Sequence, residues 1–478
     1  MHPVFRMMNT ILDFSKQKRT TFLFCLFFLA FFLRLCAVFL FTASPTTPEN
    51  GSKDAEGEIV DNRAYSFNQS FRGVNADYEY GIIARAIVEG KGYSAPLVEF
   101  DNEFTPTGVV GYRPTANQTP FFPYFLSIFY SFSNGPVAFF LIRFTQAIVS
   151  ALTCVIIYLI SLRLIHYKAA FVSGILCSCY PLFVLFTVRI VPEAFFTFFL
   201  SLTILSLFVL RESPSFKNSI ITGSLIGVAL LNNNVITPFL PIIGLWLLVF
   251  LKCAFRDRVI KISLVFIMLM VVIAPWLIRN HLVFHKFPLL KSTTGFNLWL
   301  GNNPAGSGTF FSGGREDINN IVIKKFPAAL KLSEVEQDAI LYREAVDYIK
   351  ANPGNYLKLV FKRFYYYWWF PPDKLVTENA GSYKKFMALP YLASLILCVI
   401  GIAARIRENW AECLLVVALM FIVSFVYSLF IVGHLRYRMP IEPYMLLFAS
   451  QAIFLFTRRF SRMCAHPCGN RNLAKSEK

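Results

Sequence analysis

Charge is scarce in this chain, and acid is scarcer still. Of its 478 residues 15% are charged, and 28 Asp and Glu face 46 Lys and Arg. A water-soluble domain carries about 25% charged residues, so a soluble globule of this length is excluded. Cysteine is missing from the two longest polar stretches, 44–120 and 279–387, which excludes a disulfide framework in either. A Gly-rich phosphate loop, a Ser/His/Asp arrangement and a cytoplasmic nucleotide-binding region are lacking too. No internal repeat of the sort found in transporters is visible.

What fills the chain is apolar. Hydrophobic residues make up 56% of it, Phe alone accounts for 52 positions, and the mean hydropathy is +0.53. Runs near the ~20 residues that cross a bilayer core recur at 22–43, 138–160, 169–188, 194–210, 218–231, 236–251, 262–278, 388–404, 411–432 and 441–457. The fold class is therefore an all-α polytopic membrane bundle of about ten spans with two long extracytoplasmic loops. The net charge of +18 gathers in alternate short connections, around Arg19, Arg163, Arg211, Arg256 and Arg405 and in the tail from Arg458. Cytoplasmic loops concentrate Lys and Arg in this way, so both termini are expected in the cytoplasm and no nucleic acid is needed to explain the charge.

The chain divides accordingly. A basic lead (1–21) precedes the first span (22–43), read as an uncleaved anchor; the first outer loop occupies 44–120. Membrane helices fill 121–278, a re-entrant helix within 119–134 followed by six spans. The second outer loop runs over 279–387, three spans over 388–457, and a basic tail over 458–478. Within the second loop Ser333-Glu-Val-Glu336 is a capping-box sequence, so a helix is expected from there to Asn352-Pro353-Gly354, where it stops. The run Tyr365-Tyr-Tyr-Trp-Trp369 has the composition of an interfacial aromatic belt.

Several polar groups lie where the bilayer edge should be. Asp77 and Glu79 follow the first span, and such a carboxylate suits a general base, although acids in a polar loop are also commonly just solvated. Arg189 and Glu193 share a very short outer turn, and His434, Arg436 and Arg438 share another. Arginine forks suit phosphate oxygens; interfacial anchoring is the structural alternative. Arg34 and Arg143 fall inside spans, where a central Arg costs about 2.5–3.5 kcal/mol, so each faces the bundle interior, pairs or snorkels. Asn232-Asn-Asn234 interrupts an apolar stretch as a turn, and Asn302-Asn303 carries spare hydrogen-bonding groups. Cys464-Ala-His466-Pro-Cys468 is short enough to be an incidental tail sequence, and no metal site is assigned.

In order, these pieces resemble the bacterial branch of glycosyltransferase family 39, the protein-O-mannosyltransferase-like and aminoarabinose-transferase-like enzymes of the GT-C membrane fold. The resemblance is carried by Leu33-Arg-Leu35, Asp77-Tyr-Glu-Tyr80, Glu89-Gly-Lys-Gly-Tyr93 and Pro120-Phe-Phe-Pro123. Pro192-Glu-Ala194, Pro275-Trp-Leu-Ile-Arg-Asn280, Gly301-Asn-Asn-Pro304 and Arg436-Tyr-Arg-Met-Pro440 complete it. It implies an integral plasma (inner) membrane enzyme that moves a hexosyl or pentosyl group from a polyprenyl-phosphate donor to an extracytoplasmic lipid, glycan or protein. It also implies Asp77 as the inverting general base, with Glu79 or Glu193 as substitute carboxylates. Arg436, Arg438, Arg189 and His434 would then lie at the carrier phosphate. No cofactor is implied as required, and a divalent metal stays open. Gln118-Thr119 stands where the aminoarabinose branch carries an acidic-basic pair, which argues against aminoarabinose transfer to lipid A and against a second catalytic carboxylate there. The competing classes are a lipid-linked-sugar flippase or a noncatalytic subunit of a glycan-assembly complex.

Overall fold

A lipid interior offers no partner to a backbone N–H or C=O, so an apolar chain crosses it as helices that satisfy their own hydrogen bonds. The computed structural model follows this rule. It describes residues 3–42, 78–100, 106–133, 135–286, 290–304, 306, 332–370, 378–430 and 435–465. Helix α1 (Pro3–Thr42) leads to α2 (Tyr78–Val88), a hairpin of β1 (Ser94–Phe100) and β2 (Pro106–Pro114), and α3 (Phe121–Tyr130). Then come α4 (Pro136–Leu164), α5 (Tyr167–Cys179), α6 (Pro181–Val188), α7 (Glu193–Glu212) and α8 (Phe216–Asn232). A 3-10 turn (Asn234–Phe239) enters α9 (Leu240–Phe250), followed by α10 (Phe255–Phe284) and α11 (Thr294–Gly301). The remainder is α12 (Glu334–Ala351), α13 (Pro353–Trp368), α14 (Glu378–Arg405), α15 (Trp410–Phe430), a 3-10 turn (Leu435–Arg438) and α16 (Glu442–Ala465).

Helix stands at every one of the ten expected crossings. Among the described residues, seven stretches are long and apolar enough to cross a membrane: Thr20–Leu40, Pro136–Leu164, Tyr167–Val188, Glu193–Glu212, Phe255–Phe284, Lys384–Arg405 and Trp410–Phe430. Helix α8, the Asn234–Phe250 segment and α16 do not meet that measure. Helix α3, with 10 residues, is only about 15 Å long, half the hydrocarbon thickness. It cannot cross, in keeping with a re-entrant segment.

Helix α4 is central, packing on α1, α5 and α7. Its inward face carries Arg143, Gln146, Ser150, Cys154 and Ser161, all buried and spaced three to seven apart. Small polar residues of this kind let helices approach closely in a membrane. Helices α8 and α10 approach more closely still, and Gly223 and Gly227 make it possible. A Cβ on Gly223 would sit 2.2 Å from the backbone oxygen of Val265, and one on Gly227 would sit 2.7 Å from Val272 Cβ. Because the obstruction at Gly223 is backbone, Gly223→Ala is expected to lower stability by about 1–3 kcal/mol. Gly227→Ala, which meets a side chain, should cost less; equal melting of the two variants in detergent would show that the helices slide apart freely.

The two ends of the bundle differ in chemistry. At one, Arg163 pairs with Glu212, Arg211 with Glu412 and Arg405 with Glu408, while Arg405 and Asn409 both donate to the Leu164 carbonyl. These are residues expected on the cytoplasmic side, and they converge. The opposite end gathers the outer segments. Ser333 and Glu336 form the expected capping box, and α12 does end before Pro353, but Pro353 opens α13 at once. Asp338 of α12 accepts from the Phe296 N–H at the start of α11, 2.8 Å away; burial raises its pKa above the usual carboxylate range, against the pull of these backbone donors.

Three expectations need correction. The first outer loop is not wholly helical or irregular: Ser94 pairs with Pro114 and Val98 with Val109 in an antiparallel ladder. Its β-branched and aromatic run Val109-Val-Gly-Tyr112 was obscured by the Gly and Pro around it. The aromatic run of α13 is not a uniform belt, since Tyr366 and Tyr367 are buried and only Tyr365 is largely exposed. Asn302 and Asn303 have no spare amide nitrogens, because these donate to Leu298 and Trp299 carbonyls at the end of α11, and Arg363 donates to Asn302 Oδ1 at 2.6 Å. Burial pushes the Arg363 guanidinium down to about 10.

Candidate functional site

Two breaks interrupt the helical run 167–212, and each has a local cause. At the first, Pro181 supplies no N–H to the Cys177 carbonyl. Arg34 takes over, donating to the Cys177 and Ser178 carbonyls at 3.4 and 3.1 Å. The same guanidinium donates to Ser150 Oγ at 2.7 Å, Ala30 O at 2.9 Å and Cys154 Sγ at 3.3 Å. Arg34 has no exposed surface; it faces the interior and does not snorkel.

At the second break Arg189 is extended, the Val191 N–H donates back to the Arg189 carbonyl at 3.1 Å, and Pro192 has turned into the helical region before α7. Side chains of α4 collect the loose carbonyls: Arg143 Nε donates to Val188 O at 2.8 Å and Gln146 Nε2 to Arg189 O at 2.7 Å. Arg143 is thus a backbone cap. With the turn held, Glu193 opens α7, where a carboxylate complements the helix dipole. Its Oε1 lies 3.5 Å from Arg436 Nε, with 7% of the Glu193 side chain and 21% of the Arg436 side chain exposed.

Arg189 stands beside this pair. Its side chain reaches the surface, while its guanidinium is crowded by protein and by the Arg436 charge, which together lower its pKa against the opposing effect of Glu193. Arg436 is thus paired with Glu193, and Arg189 lies within electrostatic reach of both. Tyr427 borders the group, feeling the charges of both Glu193 and Arg436, hydrogen bonding to Asn233 and stacking on Tyr437 at 4.4 Å.

Arg438 is placed differently. It is 2% exposed, lies 3.3 Å from Glu442, donates to Trp369 O at 3.3 Å and faces the Tyr391 ring at 4.2 Å. The Arg438–Glu442 pair, four residues apart across Pro440, fixes the short turn on which Arg436 is presented. Asp77 and His434 lie outside the described residues, as do His466 and Cys468 of the tail cluster. Glu79 lies in the first turn of α2, with its backbone alone described. Helix α2 joins the site's aromatic surroundings: Tyr80 meets the Phe122 ring edge-on at 5.3 Å, Phe122 lies 6.1 Å from Phe195, and Ile190 is buried in the same cluster. Among the described residues no three His, Cys, Asp or Glu side chains are grouped to hold a metal ion.

A third polar group, one that sequence reasoning misses, ties the outer segments together. Glu334 accepts from Thr115 Oγ1 (2.6 Å), the Ala116 N–H (2.5 Å) and Ser292 Oγ (2.6 Å). Arg279 donates to the Thr115 and Tyr93 carbonyls, each at 2.7 Å. A capping-box neighbour and an arginine near a span end were the available signals, but their partners lie far away in the chain.

This architecture has known counterparts. Residues 117–278, about a third of the chain, match the family described as dolichyl-phosphate-mannose-protein mannosyltransferase. The oligosaccharyltransferase AglB of Archaeoglobus fulgidus, solved with an inhibitory peptide and a dolichol-phosphate, superposes with a TM-score of 0.52 at 13% identity, over 96% of this chain and 53% of that one. Its apo form gives 0.51 at 14% identity, again over 96% and 53%. ArnT of Cupriavidus metallidurans bound to undecaprenyl phosphate gives 0.35 at 10% identity, over 78% of this chain and 72% of that one. No curated protein matches. The chain has the GT-C-type helical fold of membrane glycosyltransferases, and its segment 117–278 resembles the protein mannosyltransferases. It spans about half the length of the archaeal oligosaccharyltransferase.

Proposed function

We propose that the chain is an inner-membrane glycosyltransferase that moves a sugar from a polyprenyl phosphate to an acceptor on the outer face. The observation that carries this reading is that Arg436 pairs with Glu193 while the exposed Arg189 lies within electrostatic reach of both. Among the described residues this is two cations beside one carboxylate, partly shielded from water, which favours a further anion, and arginine forks suit a phosphate. The GT-C fold and the dolichol-phosphate in the archaeal relative agree with a lipid-linked donor.

In this reading Asp77 takes the proton from an acceptor hydroxyl as its oxygen bonds to the anomeric carbon. The bond from that carbon to the phosphate oxygen breaks, and the polyprenyl phosphate leaves with the electron pair, its charge met by Arg436 and Arg189. Support for this role of Asp77 is that α2, which begins at the next residue, belongs to the aromatic cluster of Ile190 and Phe195 around the Arg189–Glu193 turn. Glu193 balances the arginines, and Arg438 positions Arg436 from its pair with Glu442. Glu79 and His434 are further candidates at the same edge.

The test uses purified chain in nanodiscs with radiolabelled undecaprenyl phosphate mannose and undecaprenyl phosphate aminoarabinose as donors and an envelope extract as acceptor. Label should pass to acceptor, and Arg436→Gln should weaken binding of bare undecaprenyl phosphate about 10–100-fold, the loss of one charge-assisted contact. Movement of donor across the bilayer without transfer would instead mark a flippase. Unaltered phosphate binding in Arg436→Gln would remove the anion site.

A further inference from the structure

Two consecutive helices of the second outer loop present opposite kinds of surface. On α12 the exposed positions are mostly polar or charged, among them Glu336, Arg343, Glu344, Asp347 and Lys350, as a helix in water should be. Past Asn352-Pro353-Gly354 the pattern changes. From Leu357 on, the exposed positions of α13 are Leu357, Lys358, Phe361, Lys362 and Tyr365. On a helix of 3.6 residues per turn the three apolar positions fall within about 80°, and the two lysines border them on one side. Phe361 is 73% and Tyr365 58% exposed, and the helix carries no acid. Its other side is committed to the protein. Tyr367 Oη donates to the Tyr437 carbonyl at 2.9 Å and the Trp369 carbonyl accepts from Arg438 at 3.3 Å, beside the turn that presents Arg436.

Packing sets the depth of this face. Helix α15 leaves the basic end of the bundle at the Arg211–Glu412 pair and finishes at Phe430 on the outer side. Arg363 marks that finish, donating to the Leu429 carbonyl at 2.9 Å and to the Phe430 carbonyl. One residue on, the Phe364 ring lies 6.2 Å from the ring of Phe421, which is 52% exposed on the flank of the span. Phe421 stands nine residues before Phe430, about 13 Å along the helix from its outer end. Tyr367 likewise stacks on Tyr427, one turn inside that end, at 5.9 Å. The second half of α13 thus lies along the outer part of a membrane span. Phe361 and Tyr365, on either side of Arg363, stand at the bilayer edge.

We propose that the Leu357–Phe361–Tyr365 face of α13 is a docking surface for an anionic phospholipid of the outer leaflet, whose phosphate is met by Lys358 and Lys362. The charge of the face selects the occupant. Apolar side chains alone would accept any lipid; two ammonium groups one turn apart, on a helix without a carboxylate, add attraction for a negative headgroup. Lysine stems run along apolar surface while their ends reach the headgroup layer, and Lys362 Nζ keeps within 5.7 Å of the Tyr366 ring centroid. An amphipathic helix of this make settles about 5–10 Å into the boundary between headgroups and acyl chains. The inference goes beyond the carrier-phosphate reading and stands without it, since it uses other residues and another lipid.

Hydrogen exchange of the full chain, read by mass spectrometry, is compared in nanodiscs of dioleoylphosphatidylcholine and of dioleoylphosphatidylglycerol. A lysine at an anionic surface contributes about fivefold, so the amides of 357–365 should exchange roughly 5–30-fold more slowly in the anionic disc. Those of α12 should change by less than about twofold, as befits a surface away from the lipid. The Lys358→Gln/Lys362→Gln double variant, altered only at exposed side chains, should lose the difference between discs and keep wild-type exchange in phosphatidylcholine. Phe361→Gln should speed exchange in both discs and retain the difference, because it removes apolar contact and leaves the lysines. Equal exchange of wild type in the two discs, or a difference that persists in the double variant, would overturn the proposal. So would exchange of 357–365 as fast in both discs as the exposed turns of α12, which would place the face in water. Protection found only in discs that hold two chains would give the face to a second copy instead.

Discussion

Asp77→Asn is expected to reduce sugar transfer by about 10²–10⁴-fold, the range for loss of a positioned general base. The amide keeps the size of the carboxylate and its ability to accept a hydrogen bond, but it cannot take the acceptor's proton. Carrier-lipid affinity should therefore stay within about threefold of wild type, because in the proposed reading Arg189 and Arg436, not Asp77, meet the phosphate. Single-turnover measurement with labelled undecaprenyl phosphate sugar separates the two effects. Glu79→Gln and Glu193→Gln are the necessary companions. Glu193 is already engaged by Arg436, so its loss should change anion binding first, by removing the carboxylate that Arg436 pairs with. Transfer lost in Glu193→Gln with carrier binding intact, and retained in Asp77→Asn, would move the base to Glu193 and overturn the assignment.

Arg34→Met is expected to be the most damaging single change to the scaffold, at about 3–5 kcal/mol. Methionine fills much of the space without a donor. It would strand the Cys177 and Ser178 carbonyls at the α5–α6 break, together with Ser150 Oγ, all inside the bundle. Each buried acceptor left without a partner costs about 1–3 kcal/mol. The cause is specific, and so is the check. If Arg34 serves the carbonyl that Pro181 leaves open, Arg34→Met combined with Pro181→Ala should recover part of the lost stability, because an alanine in place of the proline restores an N–H donor to Cys177. Thermal unfolding in detergent, read as a double-mutant cycle, reports the coupling. A cycle that sums without coupling would disconnect Arg34 from the proline break, and a stable Arg34→Met that had lost transfer would place Arg34 against substrate.

Legibility varied with the range of the interaction. Every apolar run became a helix, because the bilayer thickness and the self-satisfied backbone leave an apolar stretch of about 20 residues little choice. The capping box at Ser333 was equally readable, since its partner is three residues away. Local spacing also contained the Arg438–Glu442 pair, yet the two arginines of that turn look alike in sequence. Only packing tells them apart: Arg436 is turned to Glu193, while Arg438 is enclosed by Tyr391, Phe370 and Glu442. The β hairpin was missed because its strands are bulged and carry Gly and Pro, and its ladder joins residues up to 20 apart, Ser94 with Pro114.

By itself the sequence determined that this is a polytopic helical membrane protein and where its membrane helices lie. Those properties follow from composition and from contacts within a few turns, which any window of the chain displays. Tertiary structure alone decided that Arg34 serves a proline break, that Glu193 meets Arg436, and that Glu334 fastens one outer loop to the other. Each of these joins side chains brought together from distant helices. Such meetings depend on the close approach of elements like α8 and α10, where the absence of two Cβ atoms matters more than any residue's own preference.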